Sequence, residues 1–346
     1  MTGGGTPSTK EEKYWLGTMP WISSSDLIEF DINKISETRF ISNEAIENSA
    51  TKIVPAFSIL VVTRVGLGKV AVNEHPICTS QDFTNLYSNN INPYYFAYLI
   101  QKHLSKKVPQ GSTIKGISSK ELAKMNLTYP TKNEQDKIYS FLHILDKKID
   151  VINSKIAILK KYKEGIMIKC YELAKNQVIS LSKLVKNNII LLGRGEIIPK
   201  QNGTFPVYSS SAANNGLFCF RNKYSFDEEL ITWSIDGGGK PFLRNKHKFS
   251  ITNVCGYAKI LDLNIFSYSW LYINFWNSWR KIKFDYTTKA HPSVIEKLYK
   301  IKSLDIESQM KIEKILTYIN NKIDYLIKEL NDVTLTKESL LRSLFF

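Results

Sequence analysis

The sequence predicts a mixed α/β chain of the α+β class. It reads as two globular domains separated by two long helices that pair as an antiparallel intramolecular coiled coil. Three observations carry this reading. The chain repeats itself at a nearly fixed offset, a heptad seam stands at the same place in each copy, and an aromatic-rich segment precedes each seam. The expected organisation is a first globular domain over residues 1–130, a helix over 131–175, a second domain over 176–303 and a second helix over 304–346.

The repeat is clearest in the helices. "QDKIYSFLHILDKKIDVINSKIAIL" from Gln135 aligns without a gap with "QMKIEKILTYINNKIDYLIKELNDV" from Gln309, an offset of 174. Gln135/Gln309, Lys137/Lys311, Ile138/Ile312 and Leu142/Leu316 are identical pairs. Upstream, "INPYYFAYLI" from Ile91 matches "IFSYSWLYIN" from Ile265, with Tyr94/Tyr268 and Tyr98/Tyr272. Further back, "ILVVTRVGLGK" (59–69) aligns with "LITWSIDGGGK" (230–240), and "GSTIKGIS" (111–118) with "YTTKAHPS" (286–293).

In the first helix the apolar residues Ile138, Leu142, Leu145, Ile149, Ile152, Ile156 and Leu159 step by four and three, an a/d seam. The second copy gives Ile312, Leu316, Ile319, Ile323, Leu326, Leu330 and Val333. A helix over residues 133–170 would be roughly 55 Å long and cannot bury such a stripe alone. Pairing the two seams within the chain solves this. The alternatives are docking on each seam's own domain, or a homodimer. Within the domains, "AFSILVVT" and "ELITWS" read as buried strands, and "PYYFAYLIQKHL" and "SYSWLYINFWNSW" as helices packed through aromatics.

Asn92-Pro93-Tyr94-Tyr95 comes within one residue of the turn with which adenine-N6 methyltransferases grip a base. The second copy has Phe266-Ser267 at the Asn-Pro positions, so the copies share aromatic spacing and not the methyltransferase atoms. Asn92-Pro93 reads instead as a helix start. No catalytic residues are assigned. There is no P-loop, no glycine-rich cofactor loop and no paired His, since His75, His103, His143, His247 and His291 are scattered. Cys78, Cys170, Cys219 and Cys255 form no C-x-x-C pair, so no metal site is expected and the thiols read as reduced. The start has no apolar h-region and no run reaches membrane-spanning length, which points to the cytoplasm.

The formal net charge of +15 suggests a polyanionic partner, most simply double-stranded DNA. By segment it is +2 over 1–130, +4 over 131–175, +9 over 176–300 and zero over 301–346. In the first domain the candidate DNA contacts are Arg64, Lys69, Lys106, Lys107 and Lys115. In the second they fall in two expected loops, with Lys240, Arg244, Lys246 and Lys248 in one and Arg280, Lys281, Lys283 and Lys289 in the other. The polar stretches "PWISSSDL" (20–27) and "VYSSSAANNG" (207–216) could contact bases or phosphates, or satisfy turns.

"GGTPSTKEEKYWLGTMPWISSSDL", "GSTIKGISSKELAKMNLTYPTKNEQDKI", "SIDGGGKP" and "TTKAHPS" occur in this order. Together they resemble the DNA-specificity (S) subunit of type I restriction–modification systems over nearly the whole chain. The resemblance implies that each globular domain is a target-recognition domain reading one half of an asymmetric split target. It implies that the helices set the unspecified spacer. It also implies partners: two methyltransferase (M) subunits carrying S-adenosylmethionine and modifying adenine, and restriction (R) subunits using ATP and Mg. The chain itself would be non-catalytic and hold no cofactor. The alternative is a non-specific architectural nucleic-acid-binding protein outside restriction. One departure stands out. "VISLSKLVKNNIILL" (178–192) precedes Gly193, whereas only Met1 and Thr2 precede Gly3, so an initial strand or helix of the first domain is expected to be missing.

Overall fold

The computed structural model describes all residues except Phe30, Gly66, 108–115, 175–176, Ala212, 286–287 and Phe346, and, of Lys106, Lys107 and Ala213, the backbone alone. Two compact units result, unit 1 from Met1–Val151 with Leu330–Phe346 and unit 2 from Ile152–Glu329.

Unit 1 begins with β1 (Thr2–Gly3), β2 (Met19–Ile22), β3 (Phe40–Ile41), α1 (Asn43–Glu47), β4 (Ile53–Val54), β5 (Ile59–Val62), β6 (Val70–Val72), β7 (Ile77–Thr79) and β8 (Phe83–Leu86). There follow α2 (Pro93–Lys107), α3 (Ser119–Ala123) and the first part of α4 (Lys132–Leu173). One sheet has the order β1-β8-β5-β6 and the other β3-β2-β7-β4, with β2 and β7 parallel. The unbroken apolar run of β5 follows from burial on both faces. Ile59 and Val61 pack under Tyr95, Tyr98 and Leu104 of α2, while Leu60 and Val62 meet Ile22, Leu27 and Ile77.

Unit 2 takes the rest of α4, then β9 (Val178–Ser180), α5 (Leu181–Lys186), β10 (Ile190–Arg194), β11 (Phe205–Tyr208), β12 (Leu217–Arg221), β13 (Phe226–Ser234), β14 (Pro241–Ile251) and β15 (Cys255–Ile260). It ends with α6 (Tyr268–Lys281), α7 (Pro292–Leu298), β16 (Lys300–Lys302) and the first part of α8 (Ile306–Leu344), which from Leu330 belongs to unit 1. Here one six-stranded sheet, β10-β15-β13-β14-β11-β12, does the work of two. The cause is β14. Its 11 residues run straight through, whereas in unit 1 Pro76 lacks the N–H to continue a strand. The buried Asn73 side chain closes that break, donating to Pro55 O and His75 O and accepting from Ser58 N. Residues 240–248, expected as a basic loop, are therefore mostly strand.

Hydrogen bonds correct the repeat's register. Thr63 N donates to Asp82 O at 2.7 Å, and Ile235 N to Val254 O at 2.9 Å. Ile117 N donates to Thr63 O, and Ala290 N to Ile235 O. Thr63 thus answers to Ile235, one residue beyond the gapless alignment. The helix caps Ser118 and His291 answer to each other, where the alignment paired Ser118 with Ser293. Val61 pairs with Val70 and Trp233 with Pro241, so the connection after β13 is one residue shorter and restores the match of Lys69 with Lys240.

A buried glutamine joins each aromatic helix to its long helix. Gln135 Oε1 accepts from Asn92 N at 2.9 Å and its Nε2 donates to Pro130 O. Gln309 Oε1 accepts from Ser267 N at 2.7 Å while Nε2 donates to Ile265 O and Leu304 O. Asn92 and Ser267 are also N-caps, accepting from Tyr95 N and Trp270 N. The Asn-Pro-Tyr-Tyr stretch is thus a capped helix start.

The long helices run antiparallel in both units. In unit 1 Asp146 pairs with Lys337, and the earlier Leu142 shares a core with the later Leu340 and Phe345. In unit 2 Lys163 Nζ donates to Asn320 Oδ1 at 2.7 Å, and the later Met167 shares a core with the earlier Leu316. None of the fourteen seam residues is exposed. Among the described residues no helix is long and apolar enough to cross a membrane.

Unit 2 seats β9 and α5 against β16 and α7, burying Leu181 and Leu184. The matching place in unit 1 is an apolar groove of about 200 Å³ lined by Ile59, Leu86, Phe96, Leu122 and Leu127, with Met1 at its side. Gln309→Ala leaves three backbone groups without their partner and is predicted to cost about 3 kcal/mol, read by urea unfolding, with Gln309→Glu only partly restoring it.

Candidate nucleic-acid interface

The two units share a strand–turn element that the sequence reading missed. "GTMPWISSS" (17–25) and "GTFPVYSSS" (203–211) match at Gly, Thr, Pro and all three Ser. The offset here is 186, not 174, because the segments that follow differ in length. The strands agree in detail. Pro20 pairs with Phe40 and Pro206 with Phe220 on the edge strand. A Cβ at Gly17 would lie 1.9 Å from Ile41 O, and one at Gly203 would lie 2.2 Å from Arg221 C. Only glycine allows the neighbouring chain so close.

In unit 2 the serine turn lies against the glycine loop. Gly237 N donates to Ser234 Oγ at 2.6 Å, and a Cβ at Gly237 would meet Ser210 O at 2.6 Å. Gly238 and Gly239 have φ of 85° and 75°, and Gly239 leaves no room for a Cβ beside Phe284 and Ala290. Lys289 Nζ pairs with Asp236 at 2.9 Å, tying Lys289 to the same loop. Trp233 Nε1 to Ala290 O and Trp279 Nε1 to Gly238 O hold it from below. In this cluster Lys283 and Lys289 are exposed and Lys240 is half-buried beside Phe242.

The remaining basic residues fall elsewhere. Arg280 stacks over Trp276, and with Lys281 it lines a cavity shared with Tyr171 and Glu172 at the end of α4. Lys246 and Lys248 are exposed on β14, Lys248 lying 5.0 Å over the Tyr224 ring. In unit 1 Arg64 is exposed, but Lys69 Nζ donates to Ser24 O and Leu27 O, so it braces the serine turn. Arg39, not singled out from sequence, stacks 4.6 Å over Trp21 and binds Ser23 and Asp26. Lys115 lies outside the described residues, as do the side chains of Lys106 and Lys107.

Arg244 departs from the expected surface role. It is 3% exposed, 3.7 Å over the Tyr208 ring and 4.8 Å from Phe242, and its Nε donates to Thr232 Oγ1 at 3.0 Å. Burial pulls its guanidinium down to about 10, and Nη1 finds no hydrogen-bond partner among the described residues. Its side chain organises the turn from beneath through Tyr208 and Gly216. The described residues contain no group of His, Cys, Asp or Glu placed to hold a metal.

Comparison with known proteins fits this layout. Residues 1–161 match the family model of the type I restriction modification DNA specificity domain. The specificity subunit of the type I restriction enzyme MjaIX from Methanocaldococcus jannaschii is 32% identical over 52% of this chain and 41% of its own length. That of EcoR124I/EcoR124II from Escherichia coli is 33% identical over 44% of this chain and 39% of its own. The chain thus spans about two fifths of the length of these relatives. The fold matches over the whole chain and 93% of the type I S subunit from M. genitalium, with a TM-score of 0.59 at 17% identity. A chain from a structure of complex assembly and conformational transition of the type I R-M system matches with the same score. The family resemblance read from the sequence is met by the family model over residues 1–161, and over the whole chain the likeness is one of fold.

Arg244→Ala is predicted to destabilise the protein by about 3 kcal/mol, through lost stacking and a cavity. Lys246→Ala, on the surface, is predicted to change stability by under about 0.5 kcal/mol. Thermal melts of both variants check the assignment of Arg244 to the interior.

Proposed function

From the type I DNA specificity domain to which residues 1–161 belong, and from a specificity-subunit fold throughout, we propose that this chain is the sequence-specific DNA-recognition subunit of a type I restriction–modification complex. The observation that carries the reading is the duplicated recognition surface: a serine turn on a Gly-Thr-x-Pro strand in each unit, backed by a long helix that starts at a buried glutamine. Each unit reads one half-site of an asymmetric bipartite target, and α4 with α8 sets the spacer between the halves. Arg64 in unit 1, and Lys283 and Lys289 in unit 2, neutralise phosphates. Phosphate contacts fix register, while base edges and DNA shape supply sequence.

The chain directs catalysis and performs none itself. S-adenosylmethionine, ATP and Mg belong to its partners, two M subunits and the R subunits, in the cytoplasm. Exposed apolar residues support the double docking of M. On α4 in unit 1 these are Phe141, Ile144 and Val151, and at the repeat-related positions of α8 in unit 2 they are Ile315, Tyr318 and Tyr325. Each set is a stripe a partner helix could cover.

Two measurements test this. Each of Lys283→Ala and Lys289→Ala is predicted to weaken DNA binding uniformly across sequences and to lower the slope of log K against log salt by about 0.9. An unchanged slope would remove that lysine from the interface. Inserting one heptad into both helices adds roughly 10 Å, about three base pairs of B-DNA. It is predicted to lengthen the spacer of the methylated motif and leave its halves intact; altered halves with an unaltered spacer would refute the role given to the helices.

A further inference from the structure

Unit 1 contains a filled socket that is open in unit 2. In unit 1 the loop at residues 31–34 inserts between the sheet and the long helices. Ile32 is fully buried, and its carbonyl accepts from Val72 N at 3.0 Å. Asn33 Nδ2 donates to Asp146 Oδ2 at 3.0 Å, and Lys34 Nζ reaches Asp150 Oδ1 at 2.5 Å. Tyr98 OH donates to the same Asp146 oxygen, and Lys337 pairs with the other. The guest thus presents an apolar, an amide and an ammonium side chain in succession to two helix carboxylates one turn apart.

At the repeat offset of 174, Asp146, Asp150, Tyr98 and Lys337 correspond to Asn320, Asp324, Tyr272 and Lys163. Lys163 Nζ donates to Asn320 Oδ1 at 2.7 Å, reproducing the Lys337–Asp146 contact with an amide in place of the carboxylate. The host is kept but the guest is absent. The connection from the third serine to the edge-strand Phe holds 14 residues in unit 1 (26–39) and 8 in unit 2 (212–219), too few for a counterpart of residues 31–34. Two bulky side chains are lost as well, since Tyr95 and Tyr139 correspond to Ser269 and Glu313. What remains is a cavity of about 280 Å³ lined by Lys163, Glu229, Ser269, Glu313, Asn320 and Asp324, among others.

The charge of this cavity opposes that of the chain. Glu229 sits at a register shift of β13 and faces Glu313, so among the described lining residues three carboxylates meet one cation, Lys163. Burial, and then Glu313, push the Glu229 carboxyl up to about 7, as for an acid short of a positive partner. Nucleic-acid phosphate is repelled here, whereas an ammonium group is drawn in.

We propose that this cavity of unit 2 is a socket for a lysine-bearing loop of a partner protein, which seats adjacent apolar, amide and ammonium side chains as Ile32, Asn33 and Lys34 are seated in unit 1. The lysine meets Asp324 and the amide meets Asn320. The cavity borders the turn that follows the serines, since Asn215 is among its lining residues, but its charge suits an ammonium group and not phosphate, so the test below reads it apart from DNA binding.

The test is fluorescence anisotropy of a fluorescein-labelled peptide of residues 29–37 titrated with the full chain. Saturable binding is expected, at least tenfold weaker for Asp324→Asn and for a peptide with norleucine in place of its lysine. Ser269→Tyr, which refills the cavity without changing charge, is expected to abolish it, with an unchanged melting temperature certifying the fold. Asp150→Asn, in unit 1, is expected to leave it intact. No saturable binding, equal binding to Asp324→Asn, or loss with Asp150→Asn instead would overturn the proposal. So would Asp324-dependent binding of spermidine without binding of the peptide, which would make the cavity a polyamine site.

Discussion

One buried amide in each half sets the frame on which the rest is built. Gln135 and Gln309 are 2% and 0% exposed, and each ties the first turn of an aromatic helix to the start of a long one. Buried amides hold their place only when their groups are paired, so each fixes the crossing of two helices. The aromatic helix then fixes the sheet beneath it. In unit 2 Trp270, Phe275 and Trp233 share one core, and Trp233 reaches on to hold Ala290 beneath the glycine loop. In unit 2 the position of the glycine loop is therefore traceable, contact by contact, to the side chain of Gln309 at the head of α8.

On this common frame the two halves carry unlike surfaces. Unit 1 breaks its strand at Pro76 and divides its strands between two small sheets, while unit 2 runs β14 through and keeps one large sheet. Unit 1 braces its serine turn with Lys69 and with Arg39 stacked on Trp21; unit 2 uses Arg244 stacked on Tyr208. The cation–aromatic device recurs, but from different strands. Substitutions in such turns can change a binding surface while the Gln-anchored core stays intact, as the proposed reading of two unlike half-sites requires.

Much of this was legible in the sequence because it repeats. The helices, their seams, the capped Asn92-Pro93 start and the aromatic packing face all rest on local periodicity or cap chemistry, which a short window contains. Three things were not. Strand register slipped by one residue at Thr63, because a run of apolar residues buried on both faces offers no alternation to anchor an alignment. The Gly-Thr-x-Pro-x-x-Ser-Ser-Ser element went unpaired because its offset differs from that of the helices by the length of the intervening loops. Arg244 read as a surface contact because its neighbours in "KPFLRNKHK" are basic; its burial comes from Tyr208 and Phe242, of which only the second is near in sequence.

The role proposed for this chain is to choose a split DNA target for an adenine methyltransferase. The most direct test co-expresses it with the methyltransferase encoded beside it, in a host without adenine methylation, and maps modified bases by single-molecule sequencing. The account predicts one bipartite motif with unlike halves, methylated only when both proteins are present. A stable complex that leaves the DNA unmethylated, or a methylated palindrome, would contradict it.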